Sequence, residues 1–179
     1  MLESEDEIAC VARCLKGDAS AFEPLVIRYQ KVLFTVALRL LGNADDARDA
    51  TQNAFVRAYV RLDTFDPSRR FFSWMYRIAV NESLNLRRAQ RPHEPLPETL
   101  ETSDGAFDRL EARELSERVQ AALMTLSPEH REVVVMRHFA DLSYEEIADT
   151  LDIPAKTVKS RLFSARQRLA PLLAVGEEQ

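Results

Sequence analysis

Residues 141–169 read DLSYEEIADTLDIPAKTVKSRLFSARQRL, and this stretch decides the fold. Its first part carries only acids: Asp141, Glu145, Glu146, Asp149 and Asp152. The remainder carries only bases: Lys156, Lys159, Arg161, Arg166 and Arg168. Ser143 and Glu146 stand at capping-box spacing and open a short helix with Ile147, Ala148 and Leu151 inward. The run "DIP" at 152–154 breaks that helix, and Ala155 to about Leu173 is read as the next one. A short helix, a tight turn and a longer helix make a helix-turn-helix. Ala148 is small, as a close crossing requires, and Asp152 falls where the turn favours a left-handed residue.

The second of these helices has two distinct sides. Val158, Leu162, Ala165 and Leu169 recur on one of them at helical spacing. Lys156, Lys159, Ser160, Phe163 and Gln167 collect on the other. Cations, a hydroxyl, an amide and an aromatic suit phosphates, base edges and thymine methyls in a major groove. The neighbouring acidic helix would stay further from the phosphates.

Working outward, the chain has 179 residues and a formal net charge of -5, which disfavours indiscriminate DNA binding. Residues 1–90 sum to +1, 91–120 to -4 and 121–179 to -2. Any nucleic-acid contact must therefore come from local patches. The hydrophobic share of 46% is that of a folded protein. Gly17, Gly42, Gly105 and Gly176 are too dispersed to cradle phosphates, so no ATP or NAD motif is present. No apolar run approaches membrane-spanning length and the first residues are acidic, so a cytoplasmic protein without membrane insertion is expected. Cys10 and Cys14 read as ordinary reduced helix residues, and His93, His130 and His138 show no metal-ligand spacing. Neither a cofactor nor catalytic chemistry is expected; Asp45–Asp46 and Glu145–Glu146 read as solvated helix residues.

Ahead of the opening stretch, the pattern is helical throughout. Ser4 with Glu7 predicts a capping box and a helix ending at Gly17. Phe22 to Leu40 holds helical spacing until Gly42, and Asn43 caps a third helix. Its inward side is Ala47, Ala50, Thr51, Ala54, Phe55, Ala58 and Leu62. A fourth helix runs from about Phe71 to Gln90, with Trp74 and Ile78 expected inward. Residues 92–108, PHEPLPETLETSDGAFD, hold three prolines and five acids without a Lys or Arg, and read as an extended linker. Beyond them Leu115, Val119, Ala122, Leu123 and Leu126 mark an amphipathic helix, and Ser127–Pro128 a serine cap with proline at the first helical position. The expected fold is all-α: two small helical domains, 1–91 and 109–179, joined by a flexible linker.

A second candidate site lies in residues 65–91, FDPSRRFFSWMYRIAVNESLNLRRAQR. Five aromatics, Phe65, Phe71, Phe72, Trp74 and Tyr76, stand among six arginines and only two acids. They cannot all face one side of a helix, so Phe71, Phe72 or Tyr76 is expected to be partly exposed. Aromatics beside arginines suit unstacked bases of a single strand.

Duplex reading in one domain and strand capture in the other lead to a whole-chain resemblance, over about residues 15–173, to bacterial extracytoplasmic-function sigma factors. NADDARDATQNAFVRAY (43–59) resembles the segment that binds the polymerase clamp. FFSWMYRIAVN (71–81) resembles the promoter-melting segment, and LSYEEIADTLDIPAKTVKSRL (142–162) the reader of the upstream element. The resemblance implies that Asp45, Asp46, Asp49, Gln52 and Asn53 dock core RNA polymerase. It implies that Asp66, Ser68, Arg69, Phe71, Phe72 and Asn81 hold the opened minus-ten strand. Lys156, Thr157, Lys159, Ser160, Arg161 and Phe163 would read the minus-thirty-five duplex, with Ser164 where some members carry arginine. An anti-sigma factor is implied as a further partner. Opening about ten base pairs costs roughly 14 kcal/mol in stacking alone, while a base on an aromatic returns about 1–3 kcal/mol, so a larger machine must contribute. The alternative is an autonomous helix-turn-helix regulator, which would need a symmetric dimer and no arginine–aromatic cluster.

Overall fold

The computed structural model describes residues 4–89 and 106–174, with side chains from 6 and from 114 onward in the two parts. The chain divides into two compact units, Met1–Glu94 and Pro95–Gln179. Among the described residues the only regular structure is helical. The amino-terminal unit holds α1 (Ser4–Leu15), α2 (Glu23–Leu41), α3 (Ala44–Val60) and α4 (Phe71–Ala89), with short 3-10 turns at Ala19–Phe22 and Leu62–Thr64. The carboxy-terminal unit holds α5 (Ala106–Met124), α6 (Pro128–His138), α7 (Tyr144–Leu151) and α8 (Ala155–Ala174). Residues 106–108, read as linker, are thus the first of α5; most of the expected linker, 92–105, lies outside the described residues.

Chain punctuation follows the residues that permit it. Gly17 (φ +98°) and Gly42 (φ +78°) take the left-handed backbone after α1 and α2, where other residues are strained. The Asn43 carboxamide oxygen accepts the amides of Asp45 (2.8 Å) and Asp46 (3.1 Å), opening α3. Ser143 and Glu146 close the expected capping box on α7, at 3.1 and 2.9 Å. Asp152 adopts φ +54°, and so does a residue the sequence did not single out, Asp141 at φ +51°.

One cap, at Ser127, differs from expectation, and the Ser4 side chain of the other expected box lies outside the described residues. Glu7 is a buried acceptor between helices: it takes the Tyr29 hydroxyl and pairs with Arg28 Nε at 2.9 Å, fastening α1 to α2. A buried carboxylate needs such partners, and the interior position supplies them. Ser127 does precede Pro128 at the start of α6, but its hydroxyl pairs with His130 Nδ1 (2.6 Å) instead of capping. The end of α5 is closed by a side chain from α6. Buried Arg131 donates to the carbonyls of Leu123 (3.0 Å), Met124 (3.2 Å) and Leu126 (3.2 Å). A guanidinium satisfies the orphan carbonyls of a helix end and complements its dipole.

The amino-terminal core is built on α2, whose Leu25, Leu33, Val36 and Leu40 are all buried, each such burial contributing about 1.5–3 kcal/mol. Alanines 47, 50, 54 and 58 of α3 are fully buried, letting α3 approach α2 and α4 closely. Across from them α4 buries Phe71, Met75, Tyr76, Ala79, Val80, Ser83 and Leu84. That arc is wider than one stripe because α2, α3 and Phe65 cover α4 from several sides. Trp74 and Ile78, expected inward, are consequently only half-buried. In the second unit Leu123, Leu126, Val133, Met136, Leu142, Ile147, Val158 and Leu162 form the core. Leu115, read as an inward residue of α5, is exposed.

Tyr76 is fully buried, and its hydroxyl has no hydrogen-bond partner among the described residues. Burial holds its pKa well above the usual value. Unfolded tyrosines lose a proton near pH 10 while Tyr76 keeps its own, so this contribution is fully present below about pH 10 and lost as pH rises beyond it. Tyr76→Phe removes a buried unsatisfied group and is expected to raise stability by about 1 kcal/mol at neutral pH. It should also make the alkaline decline shallower. Urea midpoints followed by fluorescence of Trp74, the single tryptophan, at neutral pH and above about pH 10 check both points.

Candidate nucleic-acid interface

On α8 the sorting of side chains is complete. Val158, Leu162, Ala165 and Leu169 are buried against the unit's core. Lys156, Lys159, Ser160 and Phe163 are exposed, while Thr157 and Arg161 are half-buried at the edges of that face. Phe163 leaves 64% of its surface in solvent, an unusual position for a phenylalanine in a small domain. The carbonyl of Pro154 accepts the amides of Thr157 (2.8 Å) and Val158 (3.2 Å), so the helix begins right at the turn. Ser160 returns its hydroxyl to the Thr157 carbonyl (3.0 Å), leaving its lone pairs outward. The turn itself is tight: the amides of Asp152 and Ile153 both reach the Ala148 carbonyl. Of the three α7 residues read as inward, only Ile147 is fully buried; Ala148 and Leu151 are half-buried.

The second site is organised by Asp66. Its carboxylate accepts the Ser68 amide at 2.9 Å and stands 3.6 Å from Arg69 Nε. The hydrogen bonds from Ser68, foremost, and the Arg69 charge hold its pKa below the usual carboxylate value. Asp66 thus shapes the loop that presents Ser68 and Arg69, all three exposed. Asn81 is exposed, on the outer side of α4.

The two adjacent phenylalanines divide sharply. Phe71 is 2% exposed, wedged between Phe65 (5.2 Å), Trp74 (5.6 Å) and Tyr29 (5.9 Å). Phe72 is half-buried, with one side against Tyr29 (5.6 Å) and Tyr76 (5.5 Å). Of the pair expected to contact the strand, only Phe72 offers surface to a base; Phe71 is interior. Tyr76, the third aromatic considered for exposure, is interior.

On α3, Asp45, Asp49, Gln52 and Asn53 are exposed and share one side, with Asp46 half-buried beside them. Asp45 is engaged by Arg48 one turn on. The same side continues through Val56 and Val60, exposed by 64% and 73%. Sequence reading missed these two valines, although their spacing from Gln52 and Asn53 carried the signal. A groove of about 420 Å³ runs alongside between α2 and α3, bordered by Gln30, Phe34, Gln52 and Phe55. Among the described residues no three His, Cys, Asp or Glu side chains converge as metal ligands. No helix among them is long and apolar enough to cross a membrane.

A helix-turn-helix unit joined in one chain to a unit with an arginine–aromatic edge is the architecture of the two-domain sigma class. Residues 25–93 match the family description "Sigma-70 region 2", and residues 116–169 match "Sigma-70, region 4". The chain is 34% identical to the ECF RNA polymerase sigma factor SigW of Bacillus subtilis, over 86% of this chain and 89% of that one. It is 35% identical to the ECF RNA polymerase sigma-E factor of Escherichia coli K12, over 94% and 95%. Its fold is similar to that of CnrH in complex with the cytosolic domain of CnrY, with a TM-score of 0.69, 30% identity and coverage of 98% and 100%. The sigma factor RpoE of Bartonella quintana, solved with the anti-sigma factor NepR, shares the fold at a TM-score of 0.68 and 22% identity. The chain belongs to the ECF sigma factors of RNA polymerase, a family of transcription initiation factors.

Proposed function

We propose that this chain directs core RNA polymerase to one promoter class, reading a minus-thirty-five duplex with α8 and holding the opened minus-ten strand at the amino end of α4. The observation that carries the reading is the acid-free, exposed face of Lys156, Lys159, Ser160 and Phe163 on the second helix of a helix-turn-helix. Lys156 and Lys159 supply phosphate or guanine contacts, Thr157, Ser160 and Arg161 border them, and Phe163 suits a thymine methyl. In the other unit, Phe72 provides the stacking surface, Arg69 and Ser68 the backbone contacts, and Asn81 a polar edge further along α4. The α3 face from Asp45 to Asn53 docks the polymerase, and Val56 and Val60 extend it with apolar area.

The working division is residues 1–91 for polymerase docking and strand capture, 92–108 for the acidic connection and 109–179 for duplex reading. Its products are initiation complexes, and the chain acts as a stoichiometric factor in the cytoplasm. CnrH and the Bartonella RpoE are each solved with a partner, CnrY and the anti-sigma factor NepR, which supports an anti-sigma protein as a partner here.

Run-off transcription with reconstituted holoenzyme tests the reading. Lys159→Glu is expected to cost about 1–3 kcal/mol at the upstream element, roughly fivefold to 150-fold in promoter affinity. Output from a template whose minus-thirty-five element is scrambled should change little. Equal use of both templates by wild type and variant would remove α8 from the duplex. A stable dimer that footprints a palindrome without polymerase would favour the autonomous regulator.

A further inference from the structure

Tyr144 is the first residue of α7 and was not singled out in the sequence. Its half-buried ring is approached by two cations from two other helices. Arg137 of α6 places its Cζ 5.6 Å from the ring centroid, and Lys159 of α8 places its Nζ at 5.6 Å. Both distances fall within the reach of a cation–π interaction. Arg137 is itself held in place, donating to the Leu142 carbonyl at 2.9 Å and lying 3.4 Å from Asp141 Oδ1. Lys159 is exposed, and among the described residues its ammonium meets no carboxylate, so the ring is what it rests against.

A free lysine has four rotatable bonds and loses much of that freedom when it grips DNA. An ammonium already resting on a ring loses less, and preorganisation of this kind tightens binding without adding a contact. We propose that Tyr144 is a positioning residue for promoter recognition: its π face holds the Lys159 ammonium ready for the minus-thirty-five element. This rests on α8 being the duplex reader. It assigns to the ring, and not to the hydroxyl, the part Tyr144 plays.

The test is promoter affinity of full-chain holoenzyme, with variants at 144 placed in wild-type and Lys159→Ala backgrounds. Tyr144→Leu is expected to weaken binding about threefold to fivefold, Tyr144→Phe to stay within about twofold of wild type, and Tyr144→Trp to match or exceed it. In the Lys159→Ala background, Tyr144→Leu should cost nothing further. A series of increasingly fluorinated phenylalanines at 144 keeps the ring's shape while draining its face, so affinity should fall stepwise even if the leucine variant folds poorly. The proposal is overturned if phenylalanine loses as much as leucine, if the fluorinated series is flat, or if the leucine loss persists without Lys159. A distinct failure, Lys159→Ala leaving duplex affinity unchanged, would remove the reading of α8 and the positioning role with it.

Discussion

Phe71→Ala is expected to cost the amino-terminal unit about 3–5 kcal/mol, while Phe72→Ala leaves that unit folded and slows promoter opening. The two residues are neighbours, yet their surroundings assign them opposite roles. Phe71 is covered by Phe65, Trp74 and Tyr29, so its removal opens a void that rings on three sides cannot collapse to fill. Phe72 keeps one side free. Loss of a base–aromatic stack there is worth about 1–3 kcal/mol, or roughly fivefold to 150-fold in the population of opened promoter. Trp74 fluorescence reports the stability difference directly, because Trp74 lies 5.6 Å from Phe71. Permanganate footprinting of holoenzyme complexes reports the opening. Normal reactivity of the bubble with Phe72→Ala would exclude its ring from the strand.

Arg131→Ala should have the second large effect, confined to the carboxy-terminal unit. It strands the carbonyls of Met124 and Leu126 at and just past the end of α5, and it takes from Leu123 the second of two donors, the Leu126 amide at 3.1 Å being the other. Hydrogen bonds from a charged donor contribute about 1.5–3 kcal/mol each but overlap within one group, so a net loss of about 3 kcal/mol is expected. For a small helical unit that is most of its stability. Arg131→Lys should recover little, since a single ammonium cannot span carbonyls arranged for a planar fork. Hydrogen exchange at the amides of Val133 to Met136 is the suitable probe, because the only tryptophan lies in the other unit. Protection equal to wild type in the alanine variant would show that these bonds hold nothing.

The residues explain what could be read in advance and what could not. Helices, their stops at Gly17 and Gly42, the Asn43 cap and the Ser143–Glu146 box depend on neighbours within one turn, and a single sequence contains that information. The basic face of α8 was legible for the same reason: periodicity alone separates Val158 and Leu162 from Lys159 and Phe163. The depth of Phe71 was not legible. It depends on Tyr29 and on Phe65 arriving from other elements, and one helical stripe cannot report coverage from several directions. Arg131 and Glu7 illustrate the same limit. Glu7 reads in sequence as the partner of Ser4 in a capping box and Arg131 as an ordinary surface charge, yet each is buried against partners from another element.

The strained aspartates on either side of α7 leave the reading module room to be stiffened. Left-handed backbone disfavours any residue with a β-carbon, and a carboxylate just past a helix end also opposes the dipole there. At Asp152 both penalties fall on one residue, at the joint of the reading module. A glycine codon lies one nucleotide change from an aspartate codon. A firmer joint between α7 and α8 thus lies a single substitution away from this sequence.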